Sequence, residues 1–287
     1  MPSHQNKCPM NFDSLPSFEK YLKNKINGVN LANVEYKFTV AKMVEGDWFS
    51  VPIIINSYNR KSYLEVMVNY LKSRNYTNIY IIDNKSTYQP LLDYYEEEKL
   101  NVFYLSENVG HLSLWQTSIF SLFVDEYYVF TDSDVVPSNQ SPNNFMEVFA
   151  GLLKTYTFLD KVGFSLEIED LPNEYVNTKS IKQHESKFWV YDIDDRFYFS
   201  AIDTTFALYR PNRRGGWWLN AGRTKMPFVA KHLPWYEDPK MLTKEDIFYY
   251  QNIDKSTHWS VLHKTYNPLK KLMKYLLRIM NKIDRSL

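Results

Sequence analysis

The stretch Tyr127-Tyr128-Val129-Phe130-Thr131-Asp132-Ser133-Asp134-Val135-Val136-Pro137 decides how the chain is read. Its aromatic and β-branched run has the character of a buried strand, and it stops at two carboxylates one residue apart. In an open α/β sheet, ligands gather beyond the carboxyl ends of the strands. Asp132 and Asp134, spaced i and i+2, can present oxygens to one hard divalent cation, Mn²⁺ or Mg²⁺, and to a phosphate it carries. An Asx turn at a strand exit would explain the same two residues with no ligand at all. The flanking chain has to choose between these readings.

Upstream, Val51-Pro52-Ile53-Ile54-Ile55-Asn56-Ser57-Tyr58-Asn59-Arg60 reads as a buried strand with a polar exit. Leu64, Met67, Val68 and Leu71 then recur at helical spacing. A second strand, Ile79 to Ile82, ends in Asp83-Asn84-Lys85-Ser86-Thr87, and an acidic helix (Pro90 to Lys99) leads to a third, Val102 to Leu105. After Asn108-Val109-Gly110-His111 the spacing predicts another helix, carrying Leu114, Ile119, Leu122 and Phe123. Strands alternating with helices imply parallel pairing, right-handed crossovers and a sheet covered on both faces. Ser57, Asn59, Asp83, Asn84, Asn108, Asp132 and Asp134 therefore fall on one sheet edge. Each cluster alone is ordinary turn chemistry. A Walker or dinucleotide site would instead need a glycine-rich phosphate loop, and none is present.

This half resembles the nucleotide-sugar-binding half of family 2-like glycosyltransferases with the GT-A fold. The likeness is carried by Pro52 to Arg60, Ile81 to Thr87, Asn108-Val109-Gly110 and Asp132-Ser133-Asp134, in the family's order. It covers residues 51 to 140 well and about 200 to 250 more loosely. The resemblance implies an α/β, Rossmann-like, mostly parallel sheet flanked by helices. Ser57, Tyr58, Asn59 and Arg60 would border the base of a nucleoside diphosphate sugar, a UDP-sugar in most of the family. Asp83 would accept a hydrogen bond from uracil, with Asn84, Asn108, Gly110 and Ser133 around the donor. Asp132 would meet the ribose or the metal and its water shell, and Asp134 would ligate the metal. His111 stands where the family pattern suggests a small residue, and capping the next helix is the plainer role for it.

In the second half, a helix is expected over Phe145 to Thr155, a strand over Val162 to Leu166, and a core strand over Asp203 to Arg210. Glu167, Glu169, Asp170, Asp192, Asp194 and Asp195 read as a solvated face. Phe188-Trp189-Val190-Tyr191 reads as an edge strand or acceptor loop. An inverting transfer needs a general base within reach of the acceptor hydroxyl. The candidates are Asp238 with Glu237, then Asp203, then Glu245 and Asp246. The last pair follows Thr243 at capping-box spacing and is better explained as a helix start. His232, His258 and His263 are possible third metal ligands, and His232 also lies close to Glu237 and Asp238 among the catalytic candidates. Trp217, Trp218, Trp235 and Tyr236 would form a sugar platform or pack in the core. Arg210, Arg213, Arg214 and Arg223 have the charge to meet a diphosphate or an anionic acceptor.

Composition narrows the classes. At 287 residues the chain can bury one large core with a smaller appendage. A net charge of +1 argues against a nucleic-acid partner. The one cysteine, Cys8, excludes an intramolecular disulfide framework and a cysteine zinc site. Residues 1–10 carry no apolar signal core, and no run of about 18 apolar residues occurs, so a cytoplasmic protein is expected. Pro268 to Lys282 reads as a basic amphipathic helix with Leu269, Leu272, Met273, Leu276, Ile279 and Met280 on one stripe. It would lie on the inner face of an anionic membrane or dock on the protein, and the first suits a glycan or lipid-linked acceptor. The organisation expected is an extension (1–50), a nucleotide-sugar-binding half (51–140), an acceptor and catalytic half (141–265) and the basic helix (266–287). A nucleotidyltransferase of similar topology and a noncatalytic nucleotide- or glycan-binding protein at a membrane surface are the alternatives.

Overall fold

The computed structural model describes residues 32–253, apart from 176, 216–218 and 239–240. Trp217, Trp218, His258, His263 and the expected helix at 266–287 lie outside them. The described strands are β1 (Val34–Glu35), β2 (Ile53–Ser57), β3 (Ile79–Asp83), β4 (Asn101–Leu105), β5 (Tyr128–Asp132), β6 (Val135–Pro137), β7 (Lys161–Leu166), β8 (Phe197–Phe199), β9 (Ala207–Tyr209) and β10 (Ala221–His232). They form one sheet in the order β1-β4-β3-β2-β5-β9-β7-β10-β6, with β8 paired to β10.

The run β4-β3-β2-β5 is parallel throughout, so Ser57, Asp83, Leu105 and Asp132 end on one edge. Beyond β5 the sheet becomes mixed. β9 is antiparallel to both β5 and β7, β10 is parallel to β7, and β6 returns antiparallel along β10. This return places His232 opposite Val135, directly after the Asp132–Asp134 turn.

The continuous apolar strands follow from burial on both faces. Ile53 and Ile55 point to a core filled by α1 (Lys61–Ser73), through Leu64, Met67, Val68 and Leu71. Leu91, Tyr94 and Tyr95 of α2 (Gln89–Glu97) and Phe145, Met146 and Phe149 of α3 (Phe145–Thr155) complete that core. Ile54, Tyr80, Ile82, Phe103 and Phe130 point to the other face. Each fully buried side chain of this size contributes about 1.5–3 kcal/mol.

Several local expectations are corrected. The helix expected after Gly110 is a set of turns and a 3₁₀ segment, Ser118–Leu122. Its polar residues bond elsewhere: Thr117 Oγ1 donates to the Ser113 carbonyl at 2.9 Å, and Ser113 Oγ donates to Asn56 at 2.7 Å. Such local bonds compete with helix formation. In the extension before Val51, Val34–Glu35 is a short strand, with Tyr36 and Phe38 packing edge-on against Phe103. The core strand at 203–210 shortens to Ala207–Tyr209. Phe188 belongs to a 3₁₀ turn, and Val190 and Tyr191 are exposed. The acidic face is solvated as expected, with Glu169, Asp170, Asp192 and Asp195 exposed, and Asp170, Asp192 and Asp194 pair there with Lys231, Lys225 and Arg196. No helix among the described residues is long and apolar enough to cross a membrane.

Close strand packing depends on Gly163. A Cβ there would lie 2.7 Å from Ala207 Cβ and 2.9 Å from its Cα, inside any real contact distance. Gly163→Ala is expected to lose about 1–3 kcal/mol of stability in urea unfolding. A loss below about 0.5 kcal/mol would show that β7 and β9 are not held at this spacing.

Candidate functional site

Asn56 stands beside Asp132 in the parallel β2–β5 register. Its Nδ2 donates to Asp132 Oδ1 at 3.0 Å, and its Oδ1 accepts from Ser113 Oγ and from Asn84 Nδ2. From the other side of β5, Thr204 Oγ1 donates to Asp132 Oδ2, and the Asp132 amide donates to the Thr204 carbonyl at 2.9 Å. Both carboxylate oxygens are thereby engaged. Burial, then the charge of Asp134, pushes the Asp132 carboxyl up to about 7 despite these bonds.

Asp134 is arranged differently. His232 Nε2 lies 3.5 Å from its Oδ2, and the side chains of Asp134 and His232 are 28% and 19% exposed. The amide after His232, Leu233 N, donates to the Asp134 carbonyl at 2.8 Å, which locks the two turns together. Trp235 packs against the imidazole at 4.7 Å, and His232 Nδ1 is buried with no hydrogen-bond partner. Burial opposes the charge on Asp134, but His232 and then Arg60 outweigh it and hold the carboxyl below its usual range. His232 is raised in turn by Asp134, against burial.

The residues expected around the nucleoside form a tight floor. Asp83 is 2% exposed, accepting from the Ser86 amide at 3.1 Å and from Tyr95 Oη at 3.3 Å; burial raises its pKa. Tyr95 Oη in turn accepts from Ser57 Oγ at 3.2 Å. Asn59 has a positive φ of 53°, and its Oδ1 accepts from the amides of Thr87 and Tyr88. Asn84 Oδ1 accepts from Val109 N, and Asn108 Oδ1 from Gly110 N. The Ser133 amide donates to the Asn56 carbonyl at 3.1 Å. Tyr58 Oη donates to the Asn252 carbonyl at 2.9 Å, and His111 is exposed with no helix to cap.

The family model described as glycosyl transferase family 2 matches residues 53–197, half of the chain, from β2 to the start of β8. The chain belongs to glycosyl transferase family 2. No curated protein matches it. Family 2 enzymes take a nucleotide-sugar donor, generally with a divalent metal, and a glycan acceptor, and the parallel sheet flanked by helices agrees with their GT-A fold.

This family 2 site fits such a metal. No group of three His, Cys, Asp or Glu residues is gathered for an ion among the described residues. Asp134 with His232 is a two-residue donor set, suited to a cation that keeps waters and binds substrate phosphates. The unpartnered His232 Nδ1 lies at the same corner.

Arg60 does not border the crevice. It is 5% exposed, paired with Glu237 at 2.9 Å and with Asp246, and its guanidinium lies over the rings of Tyr63, Tyr249 and Tyr250. Glu237 also accepts from Tyr63 and from Tyr250 at 3.0 Å, so both its oxygens are committed. In α4 (Lys244–Asn252), Thr243 and Asp246 form the expected capping box, at 3.1 and 2.7 Å. Glu245 does more than start its own helix. It accepts from the Lys61 and Ser62 amides and caps α1, whose N-cap residue Arg60 supplies no side-chain cap. Asp238 borders a cleft of about 510 Å³ with Tyr63, Tyr88, Glu237 and Met241. Asp203 is exposed, and its charge acts on Asp132.

The other described cations and rings have partners within the protein. Arg210 holds the Leu159 and Leu153 carbonyls, Arg213 pairs with Asp160, Arg214 lies over Phe120, and Arg223 pairs with Glu185. Trp235 is 4% exposed, and Tyr236 donates to Asp170. Asn56, Ser113 and Thr204 were not among the site residues expected from sequence. The one signal was Asn56 at a strand exit, because its partners are 57 and 76 residues away.

Arg60→Met leaves two carboxylates buried without their cation and is expected to cost about 3–5 kcal/mol in urea unfolding. Adding Glu237→Gln should recover part of it. Simple additivity of the two changes would dissolve the coupling.

Proposed function

We propose that the protein transfers a sugar from a nucleoside diphosphate sugar, a UDP-sugar in the first instance, to a glycan or lipid-linked acceptor with inversion. The observation that carries this reading is the Asp134–His232 pair at the edge of the parallel sheet, beside a carboxylate held by Asn56 and Thr204. Asp134 and His232 would hold Mn²⁺ or Mg²⁺, which when bound stabilises the negative charge growing on the diphosphate leaving group. Asp132 orients this corner and meets the ribose or the water around the ion. Ser57, Asn59, Asp83 and Asn84 shape the floor on which the nucleoside rests, with Asp83 turned to the uracil in place of one of its present partners.

Asp238 takes the acceptor proton in this account. Glu237, in the same turn, already accepts from three donors and shapes the cleft instead. Asp203 is the second candidate, because it is exposed beside Asp132. A lipid-linked acceptor agrees with the basic amphipathic pattern of residues 268–282.

Purified protein is assayed for transfer from UDP-, GDP- and CMP-sugars. Asp134→Ala is expected to lower turnover by about 10²-fold or more. Asp238→Asn is expected to lower turnover by about 10²-fold or more while leaving the donor KM within about 2-fold. Full activity in Asp238→Asn together with loss in Asp203→Asn would move the base to Asp203.

A further inference from the structure

Lys161 has no part in the account above, yet its side chain is entirely buried, 0% exposed, between β7 and β9. Its Nζ donates to the Ile202 carbonyl at 2.6 Å, the Asp203 carbonyl at 3.4 Å and Tyr209 Oη at 3.2 Å. The Tyr209 ring centroid is 4.9 Å away. An ammonium in the interior is costly unless its protons are used. Burial pulls its pKa down to about 7, and the nearby Asp203 charge only partly opposes this. An apolar side chain would avoid that cost but would take the donor from the Ile202 carbonyl.

What Lys161 Nζ secures is a segment without helix or strand, Ala201–Thr204. Buried Arg223 Nε holds the Ala201 carbonyl at 2.7 Å, while its Nη1 pairs with Glu185 at 2.8 Å. Lys161 holds the next two carbonyls. The carbonyl after those, of Thr204, receives the Asp132 amide, and the Thr204 hydroxyl donates to the Asp132 carboxylate. Successive backbone oxygens are thus fixed from within the protein up to the residue that grips Asp132.

Resting on the transferase reading, we propose that Lys161 is a positioning residue that sets the Ala201–Thr204 segment so that Thr204 aligns Asp132 and Asp203 stays beside it. Lys161 touches no reacting atom. It acts through Thr204, and its effect should vanish where Thr204 has lost its hydroxyl.

The test is a double-mutant cycle of Lys161→Met and Thr204→Val. Transfer kinetics and amide exchange at Asp132 are both read. Each single variant is expected to lower kcat at least 10-fold with the donor KM within about 2-fold. The double variant should fall no lower than the worse single. Exchange of the Asp132 amide should accelerate at least 10-fold in Lys161→Met, while the amides of 145–155 stay unchanged. Losses that multiply, an unchanged kcat, or an unchanged Asp132 amide would overturn the proposal. Should Lys161→Met not fold, Lys161→Gln, which keeps two donors without the charge, enters the same cycle. If the unsubstituted protein transfers no sugar, the transferase reading fails, and the Asp132 amide still decides the positioning claim.

Discussion

The Asp132 carboxylate is held from two sides, by Asn56 on the neighbouring parallel strand and by Thr204 from the far half of the chain. Two carboxylates two residues apart in a partly enclosed edge repel each other, and without these donors Asp132 would turn to solvent or take up a proton. The β2–β5 register puts Asn56 level with Asp132, and the antiparallel β5–β9 pairing brings the chain before Ala207 alongside. Asp132 is therefore fixed by sheet topology, and Asp134, one turn on, is left to face His232.

A second set of charges closes the two halves of the chain on each other. Arg60 follows β2 directly, and its ion pairs reach Glu237 and Asp246, 177 and 186 residues away. Glu245 in the same helix caps α1. Buried pairs like these add little net stability against an apolar alternative, but they are specific in geometry. Here the consequence is that the Glu237–Asp238 turn is held against the first helix of the nucleotide half, with Tyr63 shared between Glu237 and the Arg60 guanidinium.

Much of the fold was legible in the sequence. Ile53–Ile55, Ile79–Ile82 and Tyr128–Phe130 have the unbroken apolar character of strands buried on both faces, and Leu64, Met67, Val68 and Leu71 carry the helical period. Phe145–Thr155 was read with the bounds it has. The segment after Gly110 misled because its apolar spacing is helical while Ser113 and Thr117 spend their hydroxyls on Asn56 and the backbone. At the site, Asp132 and Asp134 announced themselves through spacing. Arg60 looked like a crevice residue because it follows the strand exit, and only tertiary structure shows its two carboxylate partners. Lys161 lies one residue before the strand expected over Val162 to Leu166 and carried no expectation. Burial of a single charge leaves no periodic trace in a sequence.

The proposed transfer depends on Asp134 and His232 forming a metal corner that binds the donor diphosphate. Calorimetric titration of UDP into the protein, with and without Mn²⁺, tests it most directly. Saturable binding is expected with Mn²⁺ present and at least about 10-fold weaker binding without it, the difference of about 1.4 kcal/mol that one direct metal–phosphate link easily exceeds. Equal binding with and without Mn²⁺, or none in either, would contradict it.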